Sequence, residues 1–252
     1  MKRQARWLVG FALGVVAIAL IAELMLQLLP VSTATRRGYH HDPDILTYPP
    51  NHRWRMATGW DLRNSQEMRS NSLGFAAERE FTPDPSAVAL VGDSYVEASM
   101  LEAADRPAAQ LQSLLGGGRV VYAFGSPGTA LLDHAQRIRL ARQRAGVQDI
   151  VLFLERFDAR QSLCGSGNVD AHCLDPVTWQ RRIERVPPPG LVRSVLRHSA
   201  LAQYFGGQIR ATPRHVLKSM FTRATPDSGG GPEARIAMPV EPAVAERTQR
   251  LV

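Results

Sequence analysis

Lysine is almost missing from this sequence. Only Lys2 and Lys218 occur, so the net charge of +7 is carried by arginine. The arginines are spread along the chain instead of gathering on one helix or run, and without such a cluster the electrostatic footprint of a nucleic-acid binder is absent. The same scatter argues against a polybasic protein that reads anionic lipid through charge alone. Cysteine is scarce as well: Cys164 and Cys173 stand close together in QSLCGSGNVDAHCL. With Asp170 and His172 as their only neighbours of ligand type, they do not match the spacing of a zinc site. In an oxidising compartment a pair this close can close a loop as a disulfide. A polar, core-poor composition is also lacking. Hydrophobic residues at 44% and charged residues at 21% exclude disorder of the whole chain. The 252 residues suffice for one or two domains with a sizeable core.

The N-terminus holds a long apolar run. Residues 7–29, WLVGFALGVVAIALIAELMLQLL, are interrupted only by Gly10, Gly14, Glu23 and Gln27. About 20 apolar residues in a helix span a bilayer. Lys2, Arg3 and Arg6 precede the run, and basic residues resist translocation, which predicts a cytoplasmic N-terminus with the rest of the chain outside. A cleaved signal peptide with Ser32-Thr33-Ala34 at the cleavage site is the alternative. The run exceeds the usual 7–15 residues of a signal core, which favours an uncleaved single-pass anchor in the inner membrane. Either reading exports the remaining chain.

Prolines 43, 49 and 50 prevent a regular helix in HHDPDILTYPPNHRW, so residues 30–70 read as an extended lead-in. RSNSLGFAAEREF follows, with a turn at Asn71 and Gly74 beside an inward Phe75. After Pro85 the pattern changes. AVALV (87–91), RVVYAF (119–124) and DIVLFLERFD (149–158) read as strands. RPAAQLQSLL and TALLDHAQRIRLARQRAG read as helices between them, the second with Leu131, Leu132, Ala135, Ile138 and Ala141 on one stripe. Strand, helix, strand, helix, strand predicts a parallel sheet with right-handed crossovers. Ligands bind such sheets beyond the carboxyl ends of the strands. Gly92-Asp93-Ser94, Gly125 to Thr129, and Arg156-Phe157-Asp158 are all expected at that edge. VTWQRRIE and LVRSVLRHSALAQYF read as helices, and residues 225–243 as a linker.

A serine hydroxyl at such a turn can act as a nucleophile if a base takes its proton and donors hold the oxyanion. Asp and Ser are equally ordinary helix caps, so GDS alone does not decide. The wider set is more specific. NSLGF (71–75), ALVGDSYVEA (89–98), GSPGT (125–129) and DIVLFLERFD, taken in order over roughly residues 1–205, resemble the SGNH (GDSL-type) hydrolases. The likeness is closest to membrane-anchored bacterial members. It implies a flavodoxin-like three-layer α/β fold, with residues 1–30 as cytoplasmic tip and anchor and 31–84 as lead-in. The α/β domain with its helical insertion would take 85–222, and 223–252 a linker and the start of a further helix. It also implies Ser94 as nucleophile, with its own N–H and that of Gly128 as oxyanion donors and Asp93 stabilising the turn. No cofactor is implied. The substrate would be an acylated glycan or lipid of the cell envelope.

Two departures stand against that pattern. Phe157 occupies the place of an asparagine whose amide completes the oxyanion hole. The Asp-x-x-His element that supplies the family's base does not occur after Ser94. Asp170 and His172, an Asp-x-His pair on a loop after the third strand, are the substitute candidates. His134, on the second helix, reads as exposed, and His198 and His215 as helix-surface residues. AVAERTQRLV resembles the start of the helix before a fourth strand, which predicts that the far half of the sheet lies outside this sequence. The rival reading is a non-catalytic envelope protein that keeps the fold as a scaffold.

Overall fold

The computed structural model describes residues 2–36, 40–41, 45–116, 118–166, 171–185 and 187–209. Asp170, His215 and the stretch 223–252 lie outside the described residues. By their contacts the described residues fall into two compact units, one made from those within 2–36, 54–67 and 189–209, the other from those within 40–53 and 68–188.

In the first unit, α1 (Lys2–Leu28) is the one described helix long and apolar enough to cross a membrane, over Arg6–Leu28. Most of its large apolar side chains are exposed, Phe11, Ile18 and Leu24 among them. A strand pair, β3 (Arg53–Thr58) and β4 (Asn64–Arg69), lies mainly in this unit. Three further short elements belong to it among the described residues: α6 (Leu191–His198), α7 (Ala200–Ala202) and a wide π-type turn over Gln203–Gln208. LVRSVLRHSALAQYF is therefore helical, but broken at Ser199, whose side chain caps α7 by accepting the Ala202 amide at 3.1 Å.

The second unit is a mixed α/β body. β5 (Val88–Gly92), β6 (Val121–Gly125) and β7 (Asp149–Leu152) form a parallel sheet in the order β6-β5-β7. The crossovers are α3 (Pro107–Leu114) and α4 (Leu131–Ala145), as the periodicity predicts. β5 is buried at all five positions because it is central and covered on both faces. Ala87, Ala89 and Val91 pack with Phe124, Ala141 and Val147 on one side, and Val88 and Leu90 with Val96 and Val121 on the other. The lead-in contributes to the first side: Phe75 meets Phe124 edge-on at 5.0 Å, and Phe81 lies 4.6 Å from Phe124 and 4.8 Å from Tyr122. Asn71 shapes that entry, its Oδ1 accepting the Leu73 and Phe75 amides at 3.0 Å each. The two-residue strands β1 (His40–His41) and β2 (Leu46–Thr47) pair antiparallel upstream of it.

Two expectations are corrected. The third strand stops at Leu152 rather than running to 158, and α5 (Asp158–Gln161) takes up its end. VTWQRRIE is not a helix. β8 (Ala171–Leu174) and β9 (Arg181–Glu184) form an antiparallel hairpin there, because Asp175 gathers the Val177 and Thr178 amides at 2.9 Å each and turns the chain. A disulfide joins Cys164 to Cys173 across the start of this hairpin.

Candidate functional site

β5 and β6 end side by side, with Gly92 opposite Gly125 in register. The turn after β5 sits on those two glycines. A Cβ at Gly125 would lie 2.7 Å from the Glu97 amide and 3.0 Å from the Asp93 carbonyl, and one at Gly92 would lie 2.5 Å from Val96 Cγ2. Nothing larger than glycine leaves room for α2 (Ser94–Glu97). Asp93 caps this one-turn helix, its Oδ1 accepting the Tyr95 amide at 2.9 Å. Ala98, in the left-handed region at φ 45°, ends it. One turn with two faces results: Ser94 and Tyr95 are exposed, Val96 and Glu97 buried.

Gly128 belongs to the loop between β6 and α4 and adopts φ 74°, a conformation that favours glycine. The loop is held from within by Thr129 Oγ1, which donates to the Ser126 carbonyl at 2.7 Å. Asp93, Ser94 and Gly128 thus all follow the carboxyl ends of neighbouring parallel strands. The Ser94 hydroxyl makes no hydrogen bond among the described residues. Tyr95, the next residue, and Phe153 bring their rings to 6.4 Å, and both are exposed, an apolar rim at this end of the sheet.

A set of buried polar groups, which sequence reading passed over, lies in the same unit. His134 is fully buried, which corrects the expectation of an exposed helix position. Its Nε2 is 3.6 Å from Asp158 Oδ2, and neither ring nitrogen has a hydrogen-bond partner among the described residues. Asp158 Oδ2 also accepts the Glu155 amide at 2.8 Å, while Oδ1 is left without a partner. Burial pushes the Asp93 carboxyl above its ordinary range, opposed by the Tyr95 amide and reinforced by the charge of Asp158. Glu97 is pushed up to about 7 by burial, against the Tyr48 hydroxyl that donates to it. Arg137 is drawn down to about 10 by burial, with Asp133, Asp93 and Glu97 opposing. Its Nη2 reaches the Leu46 carbonyl at 3.2 Å. His134 and Arg137 lie seven and four residues before buried Ala141, so the helical stripe does point them inward. Their polarity disguised it.

The other sequence candidates sit elsewhere. His172 lies on β8, and its backbone amide donates to Asp133 Oδ1 at 2.9 Å, tying the hairpin to α4. Phe157 offers no polar side-chain group, and the Arg156 guanidinium stacks over its ring at 4.4 Å. No group of three or more His, Cys, Asp or Glu able to hold a metal occurs among the described residues. A cavity of about 170 Å³ lies behind α2, lined by Val96, Glu97, Arg106 and several alanines. Ser94 is not part of its wall.

No family model, no curated protein and no solved structure matches this chain.

Proposed function

We propose that this chain is an exported, membrane-anchored ester hydrolase or acyltransferase of the SGNH type, with Ser94 as nucleophile. The observation that carries the reading is the exposure of Ser94 at the head of a capped one-turn helix, at the carboxyl edge of a parallel sheet. In this reading the Ser94 oxygen bonds to the ester carbonyl carbon while its proton passes through water to the departing alkoxide oxygen. The amides of Ser94 and Gly128 receive the oxyanion, and the alcohol departs with a proton. The oxygen of water, or of an acceptor hydroxyl, then bonds to the acyl carbon as the bond to Ser94 breaks, and its proton returns to the Ser94 oxygen. The apolar rim of Tyr95 and Phe153 suits the acyl part of an envelope glycan or lipid. The chemistry calls for no cofactor. Anchorage by α1, with the α/β unit on the periplasmic side, belongs to the same reading.

Two observations favour a second reading, a scaffold without catalysis. No imidazole or carboxylate among the described residues hydrogen-bonds the Ser94 hydroxyl, and Phe157 supplies no donor. Losing one oxyanion donor typically costs about 10²- to 10³-fold in rate. A fluorophosphonate probe on the folded full-length chain separates the two. Labelling that disappears in Ser94→Ala supports the hydrolase; a folded chain that is never labelled supports the scaffold.

A further inference from the structure

The helix α6 wears its apolar side outward. At 100° per residue, Leu191, Val192, Val195 and Leu196 fall on one arc, and Arg193, Ser194, Arg197 and His198 on the other. The apolar arc is the bare one, with exposures of 88, 75, 69 and 49% in that order. The polar arc is partly covered, since Ser194 and Arg197 are half-buried. Gln203 fastens the helix by donating to the Leu196 and Arg197 carbonyls at 3.4 and 3.3 Å. A helix at the surface of a water-soluble domain is arranged the other way round.

A second, independent observation fixes where this helix stands. Glu23 of α1 accepts three hydrogen bonds from the residues that directly follow α6: Ser199 Oγ at 2.8 Å, Ala200 N at 2.8 Å and Leu201 N at 2.9 Å. Glu23 precedes Leu28, the end of α1, by five residues. At 1.5 Å per residue that places the junction about 7–8 Å inside the end of the apolar helix. Interfacial helices sink their apolar face about 5–10 Å into the headgroup and acyl boundary. The junction therefore holds α6 at the depth such a helix occupies. The charge also fits: α6 carries Arg193 and Arg197 and no acidic residue.

We infer that α6 is an interfacial membrane helix, lying in the surface of the bilayer that α1 enters. Its arc of Leu191, Val192, Val195 and Leu196 faces the acyl chains, and its arginines face anionic headgroups. This rests on α1 being the membrane anchor. The anchored chain thus holds its bilayer at two points, a span and a surface helix, linked through one carboxylate.

The test uses nitroxide labels on the full-length chain in nanodiscs of phosphatidylcholine and phosphatidylglycerol. The chain has no free cysteine among its described residues, so one introduced thiol is the sole labelling point. Val16→Cys reports the anchor, Val195→Cys the apolar arc and Arg193→Cys the polar arc. The expected result is that oxygen relaxes the labels at 16 and 195 several-fold more effectively than a water-soluble nickel chelate does, with the preference reversed at 193. A lipid signal at 16 with a chelate-accessible 195 overturns the inference and leaves the anchor standing. A label at 195 shielded from both reagents also overturns it, and points to a second protein copy on that arc. Chelate access at 16 removes the anchor and the inference together. Val192→Cys repeats the measurement one residue round the arc, should Val195→Cys fail to fold.

Discussion

Tyr48 donates its hydroxyl to Glu97, with the two carboxylate oxygens at 3.0 and 2.9 Å. The lead-in segment is thereby bolted to the underside of the one-turn helix that presents Ser94. Burial holds that carboxyl near 7, well above its ordinary 4.5. Between those values the folded chain keeps the proton and the unfolded chain has lost it, so the group's contribution is greatest below 4.5 and falls as pH rises towards 7. The span corresponds to about 3 kcal/mol. Glu97→Gln should therefore flatten the decline in melting temperature between pH 5 and 8. A variant whose melting temperature falls as steeply as that of the parent chain refutes the assignment.

Removing only the donor acts in the opposite sense on the same group. Tyr48→Phe withdraws the hydrogen bond that favours the ionised carboxylate, so the midpoint of the decline should move to higher pH. Melting curves at closely spaced pH values read the shift.

Gly125 has no space for a side chain. Gly125→Ala sets a methyl 2.7 Å from the Glu97 amide and 3.0 Å from the Asp93 carbonyl. The turn must move, and overpacking of this kind costs typically about 1–3 kcal/mol. If the hydrolase reading holds, fluorophosphonate labelling of Ser94 should fall more than stability alone explains. The check is labelling rate at a temperature where circular dichroism shows the variant fully folded.

Asp93 caps α2 independently of any role for Ser94. Asp93→Ala should cost about 1 kcal/mol, the usual loss on removing a cap, while Asp93→Asn retains an acceptor for the Tyr95 amide. Equal destabilisation by the two, measured by chemical denaturation, would argue that charge and not capping matters there.

The bridge between Cys164 and Cys173 closes a loop of nine positions. On loop entropy such a closure is worth about 2–3 kcal/mol. Adding a reductant, or substituting Cys173→Ser, should lower the melting temperature and loosen the β8–β9 hairpin. Proteolysis within residues 163–182, compared with and without reductant, localises the effect.

The alternation of apolar runs and striped helices made the three parallel strands and both crossovers legible, because each pattern reflects burial on a face. The edge carrying Asp93, Ser94 and Gly128 followed from the same topology. His134, Arg137 and Glu97 were hidden because polar side chains in a core break the binary pattern that marks burial. Their partners, Asp158 and Tyr48, come from segments distant in sequence. The hairpin at 171–184 was lost for a different reason: VTWQRRIE has helix-forming residues, and the Asp175 turn overrides them. The bare arc of α6 was present in LVRSVLRH as a period, but which side faces outward is a tertiary fact.

β5 is flanked by β6 and β7 and covered above and below. Its amides should be among the slowest in the chain to exchange with deuterium, since local opening at either neighbour leaves the central ladder half intact. Ser94 rides on the end of that most protected element. Breathing motions of the surrounding loops therefore leave the position of that hydroxyl unchanged.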